Sequence, residues 1–145
     1  MAEPFKSVCI STRLRRATRK ANAIYDHAME KHGITIAQLS LLRTIRRLER
    51  PTLNQLAQAT ELDASTLGRN MRVLEKAGLT RFEPGQDKRT RVLSLTEKGD
   101  AITDRANHDW DRVQSDLKSR LGPGGFDTLF QLLDALDPDN EGRST

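Results

Sequence analysis

Apolar and polar positions change their period within one stretch, residues 63–96, reading DASTLGRNMRVLEKAGLTRFEPGQDKRTRVLSLT. Leu67, Met71 and Leu74 recur at helical spacing, Asp63 is a good N-cap type, and Gly78 stops the pattern. Residues 63–77 therefore read as a short amphipathic helix. Ser65, Thr66, Arg69, Asn70 and Arg72 are left for its outer side. The period then shortens to two in residues 79–82 and again in 91–95, around Pro84, Gly85, Gln86, Asp87, Lys88 and Arg89. That alternation predicts two strands joined by a glycine-containing, basic-tipped loop. Small polar and guanidinium side chains on a helix, followed by such a hairpin, suit contact with nucleic acid at two places.

The flanking segments are helical in pattern. Across residues 5–31, with no internal proline or glycine, Ile10, Leu14, Ala17, Ala21, Ile24 and Ala28 form a narrow seam, and the alanines allow another helix to approach closely. Gly33 ends this segment. Thr35 and Gln38 form a capping box that opens a second helix carrying Leu39, Leu42, Ile45 and Leu48 as far as Glu49. Thr52 and Gln55 repeat the box and open a third, with Leu56, Ala57 and Ala59 expected to face inward. Only Thr60, Glu61 and Leu62 separate it from Asp63, the short connection of a helix-turn-helix. After the hairpin, Thr96 caps a long helix with Ile102, Ala106, Trp110, Val113, Leu117 and Leu121 on its stripe. Residues 122–125, GPGG, break it, and a final helix spans 126–136. The first helix and the last two have apolar stripes to bury. Pairing with one another and with a second copy does so, which leads us to expect a homodimer with Trp110 in its core.

Composition narrows the class. At 145 residues the chain can bury one proper core, so a single domain is expected. Charged residues make up 30% and aromatic residues only 4%, which favours a helical core of aliphatic side chains. Cys9 is the one cysteine, so no internal disulfide framework exists. No apolar run has membrane-spanning length and the first residues, MAEPFKSV, lack the apolar centre of a secretion signal, so a soluble, cytoplasmic protein without membrane association is expected. The net charge of +4 is unevenly spread. Residues 1–42 hold 7 basic and 3 acidic side chains, 43–91 hold 11 and 6, and 92–145 hold 6 and 11. A positive middle beside a negative tail suits a polyanionic partner. Enzyme chemistry is poorly represented. His27, His32 and His108 have no metal-binding spacing, no glycine loop cradles phosphate, and no nucleophile sits in a known motif, so no cofactor and no metal are expected. His108 with Asp104 or Asp111 is the nearest approach to a zinc pattern.

The ordered set now assembled resembles the MarR family of bacterial winged helix-turn-helix regulators. It comprises the capped helices and short turn, Leu-Glu-Lys-x-Gly-Leu at residues 74–79, Asp-Lys-Arg at 87–89, and Leu-Thr-x-Lys-Gly at 95–99. The resemblance covers nearly the whole chain. It implies a mainly α fold with a small β-hairpin wing, in which 1–33 and 97–145 are dimerisation helices and 34–96 a DNA-binding lobe of one domain. It further implies a homodimer that binds a pseudo-palindromic double-stranded operator, usually represses transcription, and is released by a small ligand or by oxidation. Two departures stand out. Gly68 occupies a position where relatives often carry Thr or Ser, and the Thr60-Glu61 turn lacks the glycine often found there.

Roles follow from this combination. A helix in the major groove would place Arg69 against a guanine edge, with Asn70 as an alternative reader of adenine. Ser65 and Thr66, near the positive end of the helix, suit phosphate or base contacts, and Arg72 steers. The hairpin tip resembles the family's wing, whose arginine enters the minor groove; Arg89 would fill that role, with Asp87 expected to orient it by an ion pair and Lys88 and Arg91 expected to meet phosphates. Arg16, Arg19 and Tyr25 are candidates to hold a small aromatic or anionic effector. Cys9, near Lys6 and Arg13 in sequence, is the redox candidate. The rival reading is a winged-helix module that docks another protein without DNA specificity.

Overall fold

Caps set the helix boundaries. The computed structural model describes residues 7–87 and 89–139. In chain order it has α1 (Ile10–Met29), a short 3-10 turn (Glu30–His32), α2 (Ile36–Leu48), α3 (Leu53–Thr60), α4 (Ala64–Lys76), β1 (Thr80–Pro84), β2 (Arg91–Leu95), α5 (Glu97–Leu121) and α6 (Gly125–Ala135). Both expected capping boxes form. Thr35 Oγ1 accepts the Gln38 amide at 3.2 Å while Gln38 Oε1 accepts the Thr35 amide at 3.1 Å, and Thr52 and Gln55 repeat the exchange at 3.2 and 2.9 Å. A further first-turn amide of α2, that of Ile36, donates to Asp26 Oδ1 of α1 at 2.7 Å. That long-range cap joins the first two helices and has no local sequence signal.

Two expectations are corrected. The first helix was read from residue 5, but α1 starts at Ile10 because Cys9 is extended, with its amide donating to Ser7 Oγ at 3.1 Å. Phe5 and Lys6 lie outside the described residues. At its other end the α-helix tightens into the 3-10 turn, closed by Gly33 in the left-handed region at φ 71°. Ala59, expected inward, is exposed: α3 has only 8 residues, and its inner side is Leu56 with Ala57 half-buried beside it.

Two compact units divide the chain within α5, one up to Trp110 and one from Asp111. In the first, Met29 of α1, Leu39, Leu42 and Ile45 of α2, Leu56 of α3, Leu67, Met71 and Leu74 of α4, Leu93 of β2, and Ile102 and Ala106 of α5 share one core. Trp110, assigned from sequence to a dimer core, packs against this core of its own chain. His32 and Asp109 add a nearly buried polar tie, Nε2 to Oδ2 at 2.7 Å, with Lys31 Nζ 3.0 Å from the same oxygen. In the second unit the Phe126 and Phe130 rings meet edge to face with centroids 4.4 Å apart, and Lys118 Nζ lies 4.3 Å over Phe126. Leu129, Phe130, Leu132 and Leu133 of α6 and Leu136 at its C-cap are exposed.

The hairpin pairs antiparallel, Phe82 opposite Leu93 and Pro84 opposite Arg91. It is also stitched to the corner between α2 and α3. Thr52 bridges Val92, and the Leu93 amide donates to the Pro51 carbonyl at 2.8 Å. That corner holds Glu49 at φ 51° and Arg50 at φ 64°, and the helix-turn-helix connection holds Glu61 at φ 55°. A left-handed backbone costs an L-residue about 1–2 kcal/mol, so the glycine missing from this turn leaves a strain that packing offsets. Among the described residues no helix is long and apolar enough to cross a membrane.

Candidate nucleic-acid interface

Buried Leu67, Met71 and Leu74 hold the inner side of α4 in the core, so the outer side presents Ser65, Arg69 and Arg72, all exposed. Val73, a residue sequence reasoning passed over, stands beside them with half of its surface exposed. Gly68 is half-buried on this helix, and a Cβ built there meets nothing within 4 Å. Its lack of a side chain is thus not forced by packing.

Asp63 organises the start of α4 more fully than a cap requires. Its Oδ1 accepts the Thr66 amide at 2.8 Å and the Ser65 hydroxyl at 2.6 Å, while Oδ2 accepts the Thr66 hydroxyl at 2.9 Å. Both hydroxyl protons therefore point at the carboxylate. From sequence these residues suit phosphate or base contacts; donation to a phosphate requires the hydroxyls to turn away from Asp63, and as they stand they offer acceptor lone pairs. The Ser65 hydroxyl first, then the Thr66 amide and hydroxyl, hold the Asp63 carboxyl down to about 2. Because the folded pKa lies below the ordinary value of 3.8, this stabilisation is present above pH 3.8 and is lost as pH falls toward 2. In an acid titration followed by circular dichroism, Asp63→Asn should flatten this part of the stability profile between those limits. An unchanged acid limb would show that the carboxylate does not secure α4.

Asn70 Nδ2 donates to the Thr66 carbonyl at 3.2 Å, so reading adenine requires breaking a bond to its own helix. Among the described residues Arg69 makes no such bond to its own helix, and it adds a favourable charge beside Asp63. Of the two candidates, it is the one already free to reach outward.

In the wing, Arg89 is exposed at the turn after Asp87. Asp87 Oδ1 accepts the Arg89 backbone amide at 3.1 Å and the Asp87 carbonyl accepts the Thr90 amide at 2.9 Å. Asp87 thus shapes the turn through the backbone, in place of the side-chain ion pair expected from sequence. Arg91 lies with its guanidinium 4.5 Å over the Phe82 ring, and Lys88 lies outside the described residues. One cluster was not foreseen: Glu83 accepts Arg81 Nε at 2.7 Å and holds Arg50 Nη2 at 3.1 Å, two exposed guanidiniums on one carboxylate. Arg81, first among its neighbours, keeps the Glu83 carboxyl below its usual range. The alternation of β1 does place Arg81 and Glu83 on one face, but nothing local brings Arg50 to them.

Candidate effector residues are only partly brought together. Arg16 and Arg19 line an open groove along α1 with Thr12, Leu14, Arg15 and Thr18. Tyr25 is not among the residues lining it, lying about 9 Å further along the helix at 1.5 Å per residue. Its phenol is raised by burial. Cys9 is exposed at the N-cap of α1, and its thiol is lowered chiefly by the Thr12 amide and hydroxyl. Arg13 is not among the causes, and Lys6 lies outside the described residues. Asp104, considered with His108 for zinc, instead pairs with Arg46 at 2.8 Å.

Three helices around a two-stranded wing, with an outward basic α4, define a winged helix-turn-helix protein. A family model described as "MarR family" matches residues 32–90. An uncharacterized HTH-type transcriptional regulator of Bacillus cereus is 32% identical over 94 residues, 65% of this chain and 63% of that regulator, so the match spans under two thirds of the relative's length. The structure of the M. tuberculosis transcriptional regulator MosR in complex with DNA superposes with a TM-score of 0.78 at 30% identity, covering 88% of this chain and 92% of that one. A mutant MarR from E. coli complexed with operator DNA superposes at 0.83 over 90% and 95% of the two chains. Its identity of 23% speaks for the fold alone. The chain belongs to the MarR family.

Proposed function

We propose that the protein is a homodimeric, sequence-specific DNA-binding regulator that represses transcription until a small ligand or oxidation releases it. The single observation that carries this reading is α4, whose buried stripe leaves Arg69 and Arg72 outward beside a wing tip bearing Arg89. Its similarity to a relative crystallised with DNA supports the same partner. Exposed leucines along α6 give a second copy an apolar surface to cover, and two copies would present two α4 helices to a pseudo-palindromic duplex. In this arrangement residues 34–96 form the DNA-binding lobe, while 1–33 and 97–145 make the dimer within one domain.

Selection of bound sequences from random DNA tests the proposal directly. A symmetric site should emerge. If a dimer neutralises about eight phosphates, the slope of log affinity against log salt should be roughly −7. Enrichment of no sequence, with a slope near zero, would instead favour a protein-docking module.

Release by a small anionic ligand draws support from a relative, Bordetella bronchiseptica BpsR, whose DNA binding is regulated by 6-hydroxynicotinic acid. Arg16 and Arg19, sharing one groove, are the residues we assign to such a ligand, with Tyr25 further along α1. Oxidation has a separate handle in Cys9, whose exposed and acidified thiol fits the thiolate chemistry a sensor needs. Peroxide should weaken operator binding of the native chain and leave Cys9→Ser unaffected. An identical response in both proteins would remove Cys9 from the mechanism.

A further inference from the structure

We propose that Val73 is a specificity-determining residue of α4 that reads the methyl group of a thymine in the major groove. The inference rests on the regulator reading above and adds to it a residue and the base it selects. Val73 is 51% exposed, the one large apolar side chain that α4 leaves in solvent, since Leu67, Met71 and Leu74 are buried. A single exposed apolar residue is ordinary on a protein surface. This one sits where helix stability does not account for it. Valine is β-branched and loses χ1 freedom against the preceding turn, so at an exposed helical position it serves the helix less well than alanine or lysine.

Its neighbours indicate what covers it. Ser65, Arg69 and Val73 follow one another at four-residue spacing, and Arg72 and Lys76 lie alongside, all of them exposed. Glu75, the one acidic residue of α4, is two positions on from Val73 and falls on another side of the helix. An apolar protein surface laid over this patch would strip water from three cations without supplying a counter-charge. The partner must therefore be polyanionic overall and apolar at one point. Duplex DNA meets both conditions in its major groove, where thymine presents a C5-methyl group beside the hydrogen-bonding edges.

A short side chain touches a base only when its helix lies deep in the groove. The outer side of α4 permits that, because Ser65 is small and Gly68 has no side chain at all. A Cβ at Gly68 would meet nothing within 4 Å, so no contact among the described residues calls for glycine there. Close approach of the backbone to a partner is a use that offsets the poor helix propensity of glycine. Side chains three or four positions apart on a groove-bound helix reach successive base pairs, so the thymine should neighbour the pair read by Arg69.

The test uses the full chain and the duplex it selects from random sequence. Each thymine of the enriched site is replaced in turn by deoxyuridine, which removes the methyl and leaves the hydrogen-bonding edges intact. In each half-site one replacement should weaken native binding by about fourfold, the worth of one buried methyl group. Val73→Ala should bind the thymine duplex about fourfold less tightly for each half-site and should not respond to deoxyuridine at that position. Alanine favours the helix, so its Tm should be at or above the native value. Val73→Gln, another good helix former, repeats the comparison should Tm fall. An enriched site with no methyl-sensitive thymine, or with one whose methyl matters as much to the variants as to the native chain, overturns the assignment and leaves the regulator reading in place. Enrichment of no sequence removes the regulator reading itself, and this inference falls with it.

Discussion

Gly99→Ala should lower the stability of the fold by about 3 kcal/mol, at the upper end of what overpacking normally costs. A Cβ at this position would fall 2.0 Å from the Leu79 carbonyl oxygen and 2.9 Å from its carbon. The obstacle is backbone, so no rotamer change relieves it. Nor is that backbone free to retreat: the Leu79 carbonyl accepts the Thr96 amide at 3.0 Å, and the Leu79 amide donates to Leu74 at 2.9 Å. Thr96 tightens the same junction by donating its hydroxyl to the Gly78 carbonyl at 2.5 Å while accepting the Gly99 amide at 3.0 Å. Better helix propensity returns only about 1 kcal/mol to alanine. Against a total of about 5–15 kcal/mol for a domain, the loss is readily measured as a lower urea midpoint at unchanged slope. A midpoint equal to that of the native chain would mean that α5 does not press on the Leu79 backbone between α4 and β1 as described.

The second large effect concerns recognition. Arg69→Ala should weaken operator binding by about 1–3 kcal/mol and narrow the gap between operator and random DNA. Lys88→Ala, removing a wing cation, should weaken both DNAs alike. The contrast follows from what each group can read: a guanidinium on the outer side of α4 can pair with a base edge, whereas a wing lysine on a phosphate carries no sequence information. Titrating both variants against both DNAs decides the matter. Equal losses on the two DNAs for Arg69→Ala would withdraw it from base reading.

Much of the fold was legible because its signals are local. Thr35 with Gln38, Thr52 with Gln55, and Asp63 ahead of α4 each form their caps within three residues. The apolar stripe of α4 likewise needs no knowledge of its neighbours. What sequence did not reveal depends on remote partners: Asp26 capping α2, His32 meeting Asp109, Arg50 reaching Glu83, and Pro51 accepting from Leu93. The left-handed Glu49, Arg50 and Glu61 also escaped, because these residue types carry no preference for that region. At the candidate site the positions were readable but the hydrogen-bond directions were not. Asp63 two and three residues before Ser65 and Thr66 is a spacing that could have signalled their capture.

The stitch from Thr52 to Val92 and from Pro51 to Leu93 gives the hairpin a third point of attachment. The wing is consequently no free flap but a cantilever rooted in the α2–α3 corner. Tilting that corner swings Arg89 through an arc whose radius is the length of the hairpin, so a small rotation at the root becomes a larger displacement at the tip.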